Sequence, residues 1–323
     1  MNIVVADIGG TKARLGFVDV HVKLKDVMDF PTSDFPNFCA ILETYLLKLN
    51  LKPDAIGIGV AGAVQGDSVF MPNLGWTLSG AEIRATFKVK DVFFLNDLEA
   101  FAWGVETSER ISILKPGNAV SGNRAVIASG TGLGMAVIHS HNGKSIPFAT
   151  EGGHVSFAPR PGDEGLASLI ASQCDGHASW ERVVSGKYGF SNLLEFLKKD
   201  FDSSHYEVFQ KCHPESVGSE VGTQAHRGNP LAETVMERFC YYYGAQSSNL
   251  ALMSFAVGGV YLAGGVALKI KDFLTQKPWF TEGFLNKGRY REFLSPIPVF
   301  LLEDELCALR GSAKKVLFQL SER

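Results

Sequence analysis

The stretch from Ile3 to Val18, IVVADIGGTKARLGFV, limits the folds open to this chain more than any other. An apolar run, Ile3 to Ala6, leads into Asp7 and then the pair Gly9-Gly10 and Thr11. Beyond the turn, Ala13, Leu15 and Phe17 alternate with Lys12, Arg14 and Gly16, the period of a strand buried on one face. The segment therefore predicts strand, glycine turn, antiparallel strand. A dinucleotide-binding loop would run instead from strand into helix and carry a third glycine. Adjacent glycines let backbone N–H groups converge on an anion with no Cβ in the way. Thr11 adds a hydroxyl, and Asp7 offers a carboxylate of the kind that faces a magnesium shell. An ordinary hairpin needs turn glycines too, so this one segment leaves the bland reading open.

The pattern recurs. Ala125 to Ala128, then Ser129-Gly130-Thr131-Gly132, then Leu133 to Ile138 is again apolar strand, Gly-Thr turn and apolar strand. Two such hairpins could grip the terminal phosphates of a nucleotide. A third glycine signal, Val260-Tyr-Leu-Ala-Gly264-Gly265-Val266, ends an apolar run before a helix-like segment from Lys269 to Phe273. There glycine permits close approach of a flat group such as adenine. In this order of signals the chain resembles the actin-like ATPase and sugar kinase superfamily. The resemblance implies an α/β, two-domain actin-like (hexokinase-like, ribonuclease H-like) fold with a cleft between the domains.

Composition fits a soluble globular chain and argues against several other classes. The chain has 323 residues, 46% hydrophobic and 20% charged, enough for two domains. A net charge of −3 gives no basic footprint for nucleic acid. No apolar run reaches the roughly 18–20 residues a membrane helix needs. Only Met1 and Asn2 precede the first strand, so neither a signal segment nor a helix-turn-helix module of a sugar-responsive regulator is expected there. The cysteines at 39, 174, 212, 240 and 307 are scattered and form no CxxC, which argues against a disulfide framework or a zinc site. A reducing cytoplasm is the expected compartment.

Strand and helix signals alternate, as in α/β proteins. Phe38 to Leu49 reads as an amphipathic helix, Ala55 to Ala61 as a strand, and Val69 to Trp76 as a short strand running into a loop. Asp91 to Leu95 reads as a buried strand ending at Asn96-Asp97, with a helix from Leu98 to Val105. Asn229-Pro230 supplies a cap and a first-turn proline for a long helix reaching about Phe255. The segment 202–228 shows no clear period and reads as loops with short helices; Cys307 to Leu320 reads as a last helix. A hinge near 104–110 predicts a small α/β domain over 1–107 and a large α+β domain over 108–304. The superfamily resemblance implies that the C-terminal helix, 305–323, packs back on the first.

Two clusters carry polar chemistry. Asn96-Asp97 ends a strand where ligands meet open α/β sheets. A carboxylate there can take a hydroxyl proton, and the amide can donate to and accept from sugar hydroxyls. Asp97 is equally suited to cap the next helix. Glu151-Gly-Gly-His154 joins carboxylate, imidazole and glycine backbone in a way that suits a polyol, although His154 alone could be a core histidine. Glu181, within Ser179-Trp-Glu-Arg-Val-Val-Ser-Gly186, could equally be a solvated helix residue.

Asp7-Ile-Gly-Gly-Thr-Lys-Ala-Arg14, Leu95-Asn-Asp97, Gly130-Thr-Gly-Leu-Gly134, Glu151-Gly-Gly-His154, Glu181-Arg-Val-Val-Ser-Gly186 and Leu262-Ala-Gly-Gly265 stand in the order seen in bacterial-type glucokinases. The likeness spans nearly the whole chain. It implies an ATP-dependent hexose kinase acting on glucose, with ATP and Mg²⁺ bound and a homodimer as the assembly. It implies that Asn96, Glu151, His154 and Glu181 hold sugar hydroxyls and that Asp97 binds sugar and is the base for the hydroxyl on carbon six. It implies that Asp7 faces magnesium, that Gly9, Gly10, Thr11, Gly130, Thr131 and Gly132 contact phosphate beside Ala6 and Ile8, and that Gly264 and Gly265 face adenosine. Ala128-Ser129 stands where relatives often carry glycine. The cysteine-rich zinc motif of the repressor and sugar kinase family is absent after His154, which favours the zinc-free branch. A kinase for mannose, fructose or an amino sugar is the alternative.

Overall fold

The computed structural model describes residues 1–18, 23–62 and 64–323, and it divides into two compact units. The first comprises Met1–Arg110, Ile146–Ala149 and Asp304–Arg323; the second comprises Ile111–Ser145 and Thr150–Glu303.

The first unit is built on β1 (Ile3–Ile8), β2 (Lys12–Val18), β3 (Leu24–Pro31), β4 (Ala55–Val60) and β8 (Asp91–Asn96), in the order β3-β2-β1-β4-β8 among the described residues. β1 and β2 are antiparallel, with Ile8 opposite Ala13 across the Gly9–Thr11 turn; β4 and β8 run parallel to β1. A small antiparallel sheet of β5 (Val64–Gln65), β6 (Ser68–Met71) and β7 (Trp76–Ser79) is added; the short strand at Val69 runs into the turn 72–75 as expected, and that turn leads back into β7 to close a hairpin.

Apart from Asp7, β1 is apolar because both its faces are covered. Val4, Ala6 and Ile8 point to one core, with Phe38, Ile41, Leu42 and Tyr45 of the helix Phe38–Leu49. That helix starts where the Asn37 side chain accepts from Ala40 N at 3.0 Å, and it ends at Asn50 in the left-handed region (φ 48°). Ile3 and Val5 point the other way, to Leu309, Ala313 and Val316 of the helix Cys307–Ser321. This second helix lies close against Asp97–Gly104: a methyl on Gly311 would run into the Ala100 carbonyl, and one on Gly104 into Cys307.

A second sheet repeats the scheme with β9 (Ile111–Lys115), β10 (Arg124–Ser129), β11 (Leu133–His141), β12 (Lys144–Thr150), β13 (Val260–Ala263) and β14 (Val299–Leu302), ordered β12-β11-β10-β13-β14-β9. Here too an antiparallel hairpin, Ser129 opposite Leu133, is followed by two parallel strands. Only the antiparallel edge strand β9 departs from the first unit's order. Ala125 and Ile127 of β10 enter a large core with Phe239, Tyr243 and Phe280. The helix Pro230–Ser254 runs through that core, capped by Asn229, whose side chain accepts from Leu231 N and Ala232 N. The segment 202–228 holds a full helix, Val217–His226, which buries Val217, Val221 and Ala225 at intervals of four. The helix signal at Lys269 to Phe273 is two helices, Gly265–Lys269 and Lys271–Gln276, broken at Ile270.

Candidate active site

In the first unit, the Gly9–Thr11 turn is held from behind. Thr32 N donates to Thr11 O at 3.1 Å and Thr32 Oγ1 to Gly10 O at 3.2 Å, while Gly9 N donates to Lys12 O at 2.9 Å. Gly10 and Thr11 are exposed at the tip. Asp7 lies two residues beyond Val5 on the same face of β1, directly opposite Arg14. Burial, and then the negative charge of Asp97, push its carboxyl up to about 6; Arg14 and Lys12 oppose the rise. Arg14 is held by Asp29 (Nε to Oδ1, 2.6 Å) and by the Glu305 carbonyl at 3.1 Å. Those contacts hold Asp29 below the usual carboxylate range.

Asn96 ends β8 and is itself the helix cap: its Oδ1 accepts from Leu98 N at 2.9 Å and its Nδ2 donates to Gly62 O at 3.4 Å. Asp97 is the first helical residue, and its Oδ1 also accepts from Leu98 N, at 2.8 Å. The N-cap position is thus taken by Asn96, and Asp97, one residue on, shares the same Leu98 N–H. An amide nitrogen carries two hydrogens, so Asn96 can cap the helix and still donate to a ligand.

In the second unit, four segments meet at the second hairpin. Gly130 N donates to Gly132 O at 3.0 Å, and Gly186 N donates to Gly130 O at 2.8 Å. Ser129 Oγ donates to Val184 O at 2.9 Å, so serine fills this pre-glycine position as a buried tie. Glu181 Oε2 accepts from Leu133 N at 3.1 Å, close enough to Gly132 that a methyl there would lie 2.6 Å from it. The Glu151–His154 turn backs onto the same hairpin, because a methyl on Gly153 would collide with the Leu133 carbonyl. Glu151 and His154 are exposed, with Oε2 and Nε2 3.8 Å apart. Gly264, at φ 91°, presses on the backbone of Ser129 and opens the helix from Gly265. Only glycine takes that conformation without strain.

The residues expected from sequence thus fall into two sets. Ala6, Asp7, Ile8, Gly9, Gly10, Thr11, Asn96 and Asp97 gather at one end of the first sheet. Gly130, Thr131, Gly132, Glu151, His154, Glu181, Gly264 and Gly265 gather round one turn of the second. The donors suit magnesium, which takes one or two carboxylates along with substrate phosphates and water. The Asp97 charge adds to the cost of ionising Asp7, and a cation would relieve it.

The sequence model of the glucokinase family matches residues 4–318. The chain belongs to this family. A glucokinase of Neisseria meningitidis serogroup C / serotype 2a is 33% identical over 316 residues, covering 96% of this chain and 93% of that protein. The bifunctional protein glk of Burkholderia orbicola is 30% identical over 330 residues, covering 98% of this chain but 49% of its own length. The chain thus spans about half the length of the bifunctional relatives it matches. Among solved structures, a glucokinase from an Antarctic psychrotroph is 27% identical with a TM-score of 0.85, covering 98% of this chain and 99% of that one. The doubled hairpin-and-parallel-strand topology is accordingly the actin-like one of the glucokinase family, as the sequence resemblance implied. Among the described residues no helix is long and apolar enough to cross a membrane.

Proposed function

We propose that the protein is an ATP-dependent glucokinase that converts D-glucose and ATP to glucose 6-phosphate and ADP. The observation that carries the reading is the placement of Asp97. It stands at the carboxyl end of β8, a strand parallel to β4 and β1, and its charge bears on Asp7 beside the phosphate-type turn. Family membership across residues 4–318 supports the substrates.

Phosphoryl transfer is chiefly positioning and charge stabilisation. Asp97 accepts the proton of the C6 hydroxyl, O6 forms a bond to the γ-phosphorus, and the bond from phosphorus to the β–γ bridging oxygen breaks, releasing ADP. Backbone N–H groups at the Gly9–Thr11 and Gly130–Gly132 turns hold the phosphate charge, and Gly264-Gly265 admits the adenosine. Asp7 is the carboxylate that would hold magnesium; when bound, the ion supplies neutralising charge to the terminal phosphates. Asn96, Glu151, His154 and Glu181 fix the sugar hydroxyls. A site built on paired polar groups penalises a sugar that leaves one unpaired, by roughly 1–3 kcal/mol per group. The accompanying expectations are a cytoplasmic homodimer, consistent with the reduced, scattered cysteines and the family resemblance, and light scattering reads the assembly directly.

A coupled assay of kcat/KM across glucose, mannose, fructose and N-acetylglucosamine, with ATP, ADP and polyphosphate as donors, tests the reading. Preference for another hexose would overturn glucose alone; no turnover with any would overturn the kinase.

A further inference from the structure

The stretch 155–162 follows the Glu151–His154 turn and has no regular structure beyond a single bridge, Ser156 to Ser179. No sheet ladder holds it. Its position is set instead by one face of the helix Pro230–Ser254, where Arg238, Tyr242 and Gln246 stand four residues apart and so line up. Gln246, fully buried, points Nε2 at the Gly152 carbonyl at 3.5 Å. Tyr242 Oη accepts from Arg160 N at 3.2 Å and donates to Asp163 Oδ2 at 2.8 Å. Arg238 Nε meets the same carboxylate oxygen at 3.0 Å, and Arg160 Nε at 3.2 Å. Arg160 also pairs with Glu237 (Nη1 to Oε1, 3.0 Å) and lies 4.7 Å from the centre of the Tyr241 ring.

Asp163 is only 3% exposed. A carboxylate so buried is tolerated only while its partners stay in place, which ties loop and helix face into one arrangement. The Tyr242 ring does the same on the apolar side: Phe157 meets it at 5.0 Å and meets Trp180 at 5.0 Å, both edge-on. Backbone bonds join the two strips, Phe157 N to Ala178 O at 2.8 Å and Trp180 N to Val155 O at 3.2 Å. Glu181 follows Trp180 directly, and His154 directly precedes Val155.

We propose that Tyr242, with Asp163 and Gln246, is the positioning element of the sugar subsite: it fixes where Glu151, His154 and Glu181 stand without touching the sugar itself. The inference rests on the reading of those three residues as glucose ligands. Its neighbour Tyr243 supplies the control. Tyr243 is equally buried, but its hydroxyl points to the carbonyls of Ile127 (3.3 Å) and Ala263 (3.4 Å), on the strands leading to the nucleotide turns.

The test compares wild type, Tyr242→Phe and Tyr243→Phe by steady-state kinetics and by glucose calorimetry. Loss of the two hydrogen bonds of the Tyr242 hydroxyl, to Arg160 N and Asp163, should raise KM and Kd for glucose about fivefold or more in Tyr242→Phe. KM for ATP should stay within about twofold, and Tyr243→Phe should leave the glucose values within about twofold. Asp163→Asn should raise glucose KM further; if it fails to fold, Tyr242→Phe decides alone. Glucose values unchanged in Tyr242→Phe, or raised equally in both tyrosine variants, overturn the inference. A wild type that binds no glucose overturns the functional reading and this inference with it, whereas wild-type binding with an unaltered Tyr242→Phe overturns the inference alone.

Discussion

The Asp97 carboxylate raises the proton affinity of Asp7, on a strand two places away in the same sheet. Burial and mutual repulsion hold Asp7 near 6, well above its ordinary 3.8, so at neutral pH the folded protein keeps a charge that destabilises it.

That sets a stability prediction. Unfolded, Asp7 titrates near 3.8; folded, near 6. Between those values the folded state binds more protons, so this contribution is present below pH 4, declines as pH rises, and is gone above about 6. At about 1.36 kcal/mol per pH unit the difference comes to about 3 kcal/mol. Asp7→Asn should therefore unfold at higher temperature than wild type at pH 8, in metal-free buffer, with the gain vanishing near pH 4. Calorimetric melts at both pH values check it. Equal melts at pH 8 would mean that Asp7 is not strained.

Asp97→Asn separates chemistry from capping. With the cap on Asn96, the variant should melt within about 0.5 kcal/mol of wild type. It should lose about 10²–10⁴ in kcat, the value of a positioned base. Asn96→Ala should do the reverse in stability, costing about 1 kcal/mol for the lost cap. A stable Asp97→Asn protein with normal kcat would place the base elsewhere.

Gly264→Ala should be costly on two counts. The backbone there, φ 91° with ψ 157°, lies in a region essentially confined to glycine and alone disfavours alanine by about 1–3 kcal/mol. The new methyl also meets the Ser129 backbone, which carries the second phosphate-type turn. KM for ATP should rise more than KM for glucose, and melting should fall. Kinetics with each substrate varied in turn would show it.

Much of this was legible along the chain. The Gly-Thr hairpins, the helix Phe38–Leu49 with its apolar spacing, and the proline-started helix from Pro230 carry local signals, because each is set by period and turn chemistry. The helix Val217–His226 was not, since Gly218 and Gly222 interrupt its composition although Val217, Val221 and Ala225 keep the spacing. Asp163 was hidden for another reason. In a loop rich in proline and glycine it reads as a solvated charge, and its partners Arg238 and Tyr242 lie 75 and 79 positions away. Glu181 likewise shows its contact with the second hairpin only in three dimensions.

Residues 304–323 belong to the first unit, yet they are translated only after 111–303. At roughly 5–20 residues per second, a ribosome spends about 10–40 s on that intervening stretch. Throughout it, Ile3, Val5, Val18 and Ala55 wait for Leu309, Ala313 and Val316 to cover them. The nascent chain thus carries an uncovered apolar face while residues 111–303 are being made.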